Sequence, residues 1–214
     1  MLIVGLTGSI GMGKTTIANH LASRGVPIIE SDAVVHELYS GKAAPLIEAE
    51  FPGTVIDGTV DRARLSGALS QSADGFERLE AIVHPLVREA QWDFIKEQHA
   101  AGSHLCVLDI PLLFETGGDQ LVDVVLLVSA SKQIQSERVL SRPGMTLEKF
   151  EAIHARQLSD EEKRARADTI IDTGLPLDET LCQVDKWLES LKTRDGRKFG
   201  LWRSLHADGA QGRS

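Results

Sequence analysis

The amino-acid sequence predicts a three-layer α/β fold: a five-stranded parallel sheet with helices on both faces. Three observations predict it. Residues 105–108 and 122–128 are almost continuously apolar, as strands covered on both sides require. Segments with apolar residues at helical spacing separate the strand-like runs, the pattern of right-handed crossovers. A glycine-rich turn joins the first strand-like run to the first helix-like one, and ligands of such sheets bind beyond the carboxyl ends of strands.

Taken in order, residues 2–6 form the first strand and 15–23 the first helix, with apolar residues at helical spacing. Residues 26–29 are the second strand, which ends at Glu30-Ser31-Asp32 before a helix over 33–39. Residues 105–108, 122–128 and 169–172 complete the sheet. Two helix-rich stretches exceed what a crossover needs. They divide one domain, 1–192, into a core (1–58, 101–130 and 167–192), a helical acceptor-binding region (59–100) and a lid (131–166), unless both are only decorated crossovers. Residues 193–214 gather Gly, Arg, Asp, Ser and Gln, so a loosely ordered polar tail is expected, and the sequence assigns it no role.

With 214 residues, 42% hydrophobic and 25% charged, the chain is long enough for one sizeable core. A net charge of -8 argues against a general electrostatic grip on nucleic acid or anionic membrane. The opening residues lack a basic leader, and no apolar run is long enough to span a bilayer. A cytoplasmic monomer with a small-molecule substrate is expected. Cys106, in a strand-like run, and Cys182, on a helix, are expected to be inert buried thiols rather than a disulfide framework.

Gly8-Ser9-Ile10-Gly11-Met12-Gly13-Lys14-Thr15 matches G-x-x-x-x-G-K-[ST] and stands between a strand and a helix, where a P-loop belongs. Glycines keep Cβ atoms away so that backbone N–H groups converge on phosphate, and the helix amino end adds its positive pole. The fold expected is therefore the P-loop NTPase fold, with ATP and magnesium as ligands. Lys14 would reach the β and γ phosphates, Thr15 the magnesium, and Thr16 an α-phosphate oxygen. Asp109, after the run 105–108, is either a carboxylate that holds the magnesium directly or through water, or a strand cap.

A kinase also needs a group that accepts the proton of an acceptor hydroxyl. Asp32 is the candidate, with Glu30 on the same face if the chain stays extended; Asp32 also suits the N-cap of a helix starting at Ala33. Arg138 and Arg142, four apart, are expected on one helix face, where they either receive an anion as lid arginines or pair with acids such as Glu137. His84 and Arg88 are candidates for acceptor contacts, with Pro85 suited to the first turn of a helix; a packed or capping His84 is the alternative. A kinase of another small hydroxyl compound and a nucleotide-binding switch are the competing readings.

The segments 5–15, Glu30-Ser31-Asp32, 79–85 and Pro111-Leu112-Leu113-Phe114-Glu115 together resemble those of dephospho-coenzyme A kinases. Gln133, Arg138, Arg142, Gln157, Ala167-Asp168 and Ile171-Asp172 extend the resemblance. It implies transfer of the ATP γ-phosphoryl group to the ribose 3′-hydroxyl of dephospho-coenzyme A, with Asp32 as base and Lys14 and Arg138 as further catalytic groups. It implies nucleotide contacts from Gly8, Gly11, Met12, Gly13, Lys14, Thr15, Thr16 and Arg142, and near 172–174. It further implies acceptor contacts from Glu30, Asp32, His84, Arg88, Leu112, Phe114 and Glu115, and metal contacts from Thr15 and Asp109. Glu30 replaces the family's usual Asp, Met12 a small residue, and Thr173 an Asn.

Overall fold

A computed structural model describes residues 1–155 and 157–207. The elements in chain order are β1 (Leu2–Thr7), α1 (Lys14–Ser23), β2 (Ile28–Glu30), α2 (Ser31–Tyr39), α3 (Ala44–Glu50), β3 (Val55–Ile56), β4 (Thr59–Val60), α4 (Arg62–Ser70) and α5 (Gly75–Ala100). There follow β5 (Leu105–Asp109), a 3-10 turn (Gly118–Leu121), β6 (Val124–Ser129), α6 (Lys132–Leu140), α7 (Leu147–His154), α8 (Asp160–Arg166), β7 (Thr169–Asp172), α9 (Leu177–Ser190) and α10 (Lys198–Ala207).

The expected five-stranded parallel sheet is present, in the order β2-β5-β1-β6-β7. Its centre is β1, whose residues pair with Leu105 to Asp109 on one side and Val124 to Leu127 on the other. Leu2, Val4 and Leu6 face a core built with Ile17 and Leu21 of α1, Leu126 and Val128 of β6, and Val184 and Trp187 of α9. Burying such a side chain contributes about 1.5–3 kcal/mol, which is why these short apolar runs become the sheet.

The chain forms two compact units: Met1–Ile29 with the chain from Ile95 onward, and Glu30–Phe94. The second has its own core, in which Ile47 and Phe51 of α3 meet Val60, Leu65, Leu69 and Val83. Its hairpin turns at Asp57 and Gly58, both with positive φ, the backbone a two-residue turn between twisted strands needs. Asp61 then starts α4 by accepting the N–H groups of Ala63 and Arg64 at 2.9 Å. Because α2, α3 and the hairpin share this core, the unit begins earlier in sequence than the 59–100 region expected to be separate.

Two local expectations are corrected. Pro85 lies inside α5 rather than in a first turn, so the helix continues past a residue that cannot donate an N–H. The stretch expected to be a loose tail contains α10, and Trp202 on it is only 1% exposed. The Trp202 indole donates to the Leu121 carbonyl at 2.7 Å, and the N–H groups of Arg197 and Lys198 donate to Asp123 Oδ1 at 2.6 and 3.0 Å. Phe199 stacks on His99 with ring centroids 3.8 Å apart. Two aromatic anchors order a segment whose average composition is polar. Residues 208–214 of the same stretch lie outside the described residues.

Candidate active site

The glycine loop begins where β1 ends, with Thr7 and Gly8 buried. Gly11 and Gly13 have φ of +80° and +84°, a region that strains other residues. At Gly11 a Cβ would also lie 2.5 Å from Val139 Cγ2 of α6. Gly13 occupies the N-cap of α1 and supplies no capping side chain. The amino end of that helix, with Thr15 and Thr16 exposed in its first turn, is therefore open to an anion.

Asp109 pairs across β1 with Leu6, just before the loop, and is 3% exposed. It forms an ion pair with the ammonium group of Lys14. Burying either charge alone would be costly, so each holds the other in place. The Asp109 carboxylate, paired with Lys14 in the first turn of α1, and the exposed hydroxyl of Thr15 in the same turn are oxygen donors of the kind magnesium takes.

Behind the loop stands Thr173, the residue just after β7, which is buried. Its hydroxyl lies 2.8 Å from the Met12 carbonyl and 3.2 Å from that of Ser129. Arg138, on α6, donates to the Thr173 carbonyl at 2.7 Å and to its hydroxyl at 3.3 Å. Met12, 1% exposed, accepts the Ala130 N–H on its sulfur at 3.1 Å. The two departures at Met12 and Thr173 thus meet in one brace beneath the loop. Sequence reasoning missed this role; the coincidence of the two departures was the available signal.

Arg142 does not share a helical face with Arg138. Helix α6 stops at Leu140, and Arg142 is exposed in the turn beyond it. The cause is Pro143, which disfavours helical backbone at the residue before it, followed by Gly144 at φ 74°.

Of the acceptor candidates, Leu112, Phe114 and Glu115 belong to the first unit. Phe114 is buried under the Arg166 guanidinium, 4.7 Å from its ring centroid. Glu115 Oε1 accepts the Leu158 N–H at 2.8 Å and lies 3.0 Å from the ammonium of Lys163, whose side chain is 0% exposed. Lys163 was missed in the sequence because it sits among the surface charges of 160–166.

Glu30, Asp32, His84 and Arg88 belong to the second unit. Glu30 ends β2, but Asp32 is already helical, so the two do not share an extended-chain face. Nor is Asp32 the N-cap: α2 starts at Ser31, and Asp32 stands exposed in its first turn, where the helix dipole favours a carboxylate. Ser31 accepts from the amide of Gln91 at 3.2 Å, both buried. His84, Arg88 and Gln91 are spaced four and three apart on α5, so this bond brings the acidic turn to the helix face that carries them. His84 is exposed; Arg88 is half-buried, and desolvation pulls its guanidinium below the usual value.

A parallel sheet with an open glycine loop, an invading lysine and a carboxylate at the next strand end defines a P-loop phosphotransferase. The dephospho-CoA kinase family model matches residues 2–178. A dephospho-CoA kinase from Rhizobium etli is 54% identical over 194 residues, which cover 91% of this chain and 96% of the relative. A solved structure from Thermus thermophilus superposes with a TM-score of 0.79 at 32% identity, covering 90% of this chain and 98% of its own. Dephospho-CoA kinase from Campylobacter jejuni gives 0.68 at 24% identity, with 88% and 96% covered, a likeness of fold. The chain belongs to the dephospho-CoA kinase family and is an ATP-dependent kinase, as the opening motifs led us to expect. No helix among the described residues is long and apolar enough to cross a membrane.

Proposed function

We propose that this chain transfers the γ-phosphoryl group of ATP to the ribose 3′-hydroxyl of dephospho-CoA, yielding CoA and ADP, the closing step of coenzyme A synthesis. The observation that carries the reading is the Lys14–Asp109 pair beside the open amino end of α1, in a chain matched to the family over residues 2–178. An arriving polyphosphate offers Lys14 a stronger set of acceptors, so its ammonium leaves Asp109 for the β and γ oxygens. The carboxylate released, with the Thr15 hydroxyl, would then hold magnesium. That ion neutralises charge on the phosphates when bound.

In the transfer itself the bond from the γ phosphorus to the bridging oxygen breaks, and a bond to the 3′ oxygen forms. Asp32 takes the hydroxyl proton, and Arg138 stabilises the charge on the moving group. Gly8, Gly11, Met12, Gly13, Thr16 and Arg142 serve the nucleotide. Glu30, His84, Arg88, Leu112, Phe114 and Glu115 serve the acceptor, the buried Phe114 and half-buried Glu115 by shaping its surroundings. The enzyme works as a cytoplasmic monomer, with no nucleic-acid or membrane partner.

The test is ADP formation by purified protein with ATP and magnesium, compared with dephospho-CoA, with adenosine monophosphate and with no acceptor. Rapid turnover is expected only with dephospho-CoA. Equal ADP release without acceptor would reduce the protein to an ATPase.

A further inference from the structure

The main chain of Ile10, in the middle of the glycine loop, lies between two side-chain amides. Its carbonyl accepts from Gln135 Nε2 at 2.8 Å, and its N–H donates to Gln157 Oε1 at 3.4 Å. A carbonyl only accepts and a peptide N–H only donates, so the orientation of each amide is dictated by the group it meets. Gln135 is on α6 and is only 2% exposed; Gln157 follows α7. The two therefore come from opposite ends of the 131–166 segment. The same helix α6 closes on the loop at Gly11 through Val139.

We infer that Gln135 and Gln157 are positioning residues for the nucleotide: by holding the main-chain N–H and carbonyl of Ile10, one on each of the two peptide groups that flank it, they fix the curve of the phosphate-binding loop. Glycines at Gly11 and Gly13 give this loop many accessible conformations, most of which do not converge N–H groups on an anion. A loop already held in one of them loses less freedom when phosphate arrives, so affinity rises without any new contact to the ligand. Gln135 carries more of the effect, because 2.8 Å is a full hydrogen bond and 3.4 Å is a long one. The brace also links nucleotide affinity to the placement of the segment from which both glutamines come.

The inference rests on the loop being the nucleotide site, and the test separates the two. ADP affinity by calorimetry, and KM for ATP and for dephospho-CoA, are measured for the wild-type protein, Gln135→Leu, Gln157→Leu and the double variant. Gln135→Leu is expected to weaken ADP about five- to tenfold, the worth of one net hydrogen bond. Gln157→Leu should weaken it about twofold, and the double variant by less than the product, since both act on the main chain of one residue. KM for dephospho-CoA should move far less than KM for ATP, a split that general loss of stability would not produce. A folded Gln135→Leu protein with unchanged ADP affinity, or with both KM values raised alike, overturns the inference. Should Gln135→Leu not fold, unchanged ADP affinity in Gln157→Leu overturns it instead. Failure of the wild-type protein to bind ADP would sink the nucleotide site itself, and is seen before any variant is compared.

Discussion

Thr173 and Met12 are joined by a hydrogen bond of 2.8 Å from a buried hydroxyl to a loop carbonyl, far apart in sequence and adjacent in space. The same hydroxyl lies 3.3 Å from an Arg138 nitrogen, so it can give its proton to Met12 while receiving one from the guanidinium. Thr173→Val keeps the shape and removes both bonds. It should lower stability by about 1–2 kcal/mol in a denaturant titration, with kcat/KM for ATP about tenfold lower. Unaltered kinetics would make the brace purely architectural.

Asp32 is exposed in the first turn of α2 and is not consumed as a helix cap. In the mechanism we propose, Asp32 accepts the hydroxyl proton during the transfer and takes no part in nucleotide binding. Asp32→Asn should therefore cut kcat by about 100-fold or more while ADP affinity stays within about twofold. Retained turnover would assign the proton to another group.

Lys163 and Glu115 form a pair in which the lysine is fully buried. Removing one partner strands the other charge away from water. Lys163→Met should destabilise the protein by about 3–5 kcal/mol, and adding Glu115→Gln should restore much of that loss. Chemical denaturation of the single and double variants decides the matter; an equal loss in both would mean that packing, not charge, dominates.

The two cysteines differ in a way the sequence did not reveal, since both were expected to be buried. Cys106 is buried in β5, and desolvation pushes its thiol up to about 12; Cys182 is exposed on α9. The native protein should release one equivalent from a thiol reagent at neutral pH, and two after unfolding. Prompt reaction of both in the native state would contradict the packing of β5.

Asp185 on α9 is held below the ordinary carboxylate value by hydrogen bonds from Arg24, which caps the end of α1, and from His20 within it. A lowered folded value means that its contribution is present above the unfolded value and fades as the pH falls through the folded one. The stability gap between the wild-type protein and Asp185→Asn should thus be open at neutral pH and close as the pH drops below about 4. A gap independent of pH would deny the carboxylate any part in joining α1 to α9.

The sheet was legible because parallel strands need apolar residues on both faces, and few other structures tolerate runs such as 105–108 and 122–128. The loop was legible because its spelling follows from the approach of backbone to phosphate. What escaped was set by tertiary contact. Nothing local distinguishes Gln135 or Lys163 from a surface residue of a charged helix, yet both are buried. Trp202 was hidden by averaging over polar neighbours, and the end of α6 by weighing the spacing of Arg138 and Arg142 without Pro143.

Asp123 joins β1 to α10: one carboxylate oxygen takes the Ile3 N–H at 2.9 Å, and the other takes the N–H groups that open α10. The sheet strand made before the other four thus has its amino end secured by a helix made after all of them. Folding during synthesis cannot finish there until Trp202 has cleared the exit tunnel, and a fusion or truncation that disturbs 197–202 will be felt at the oldest strand of the sheet.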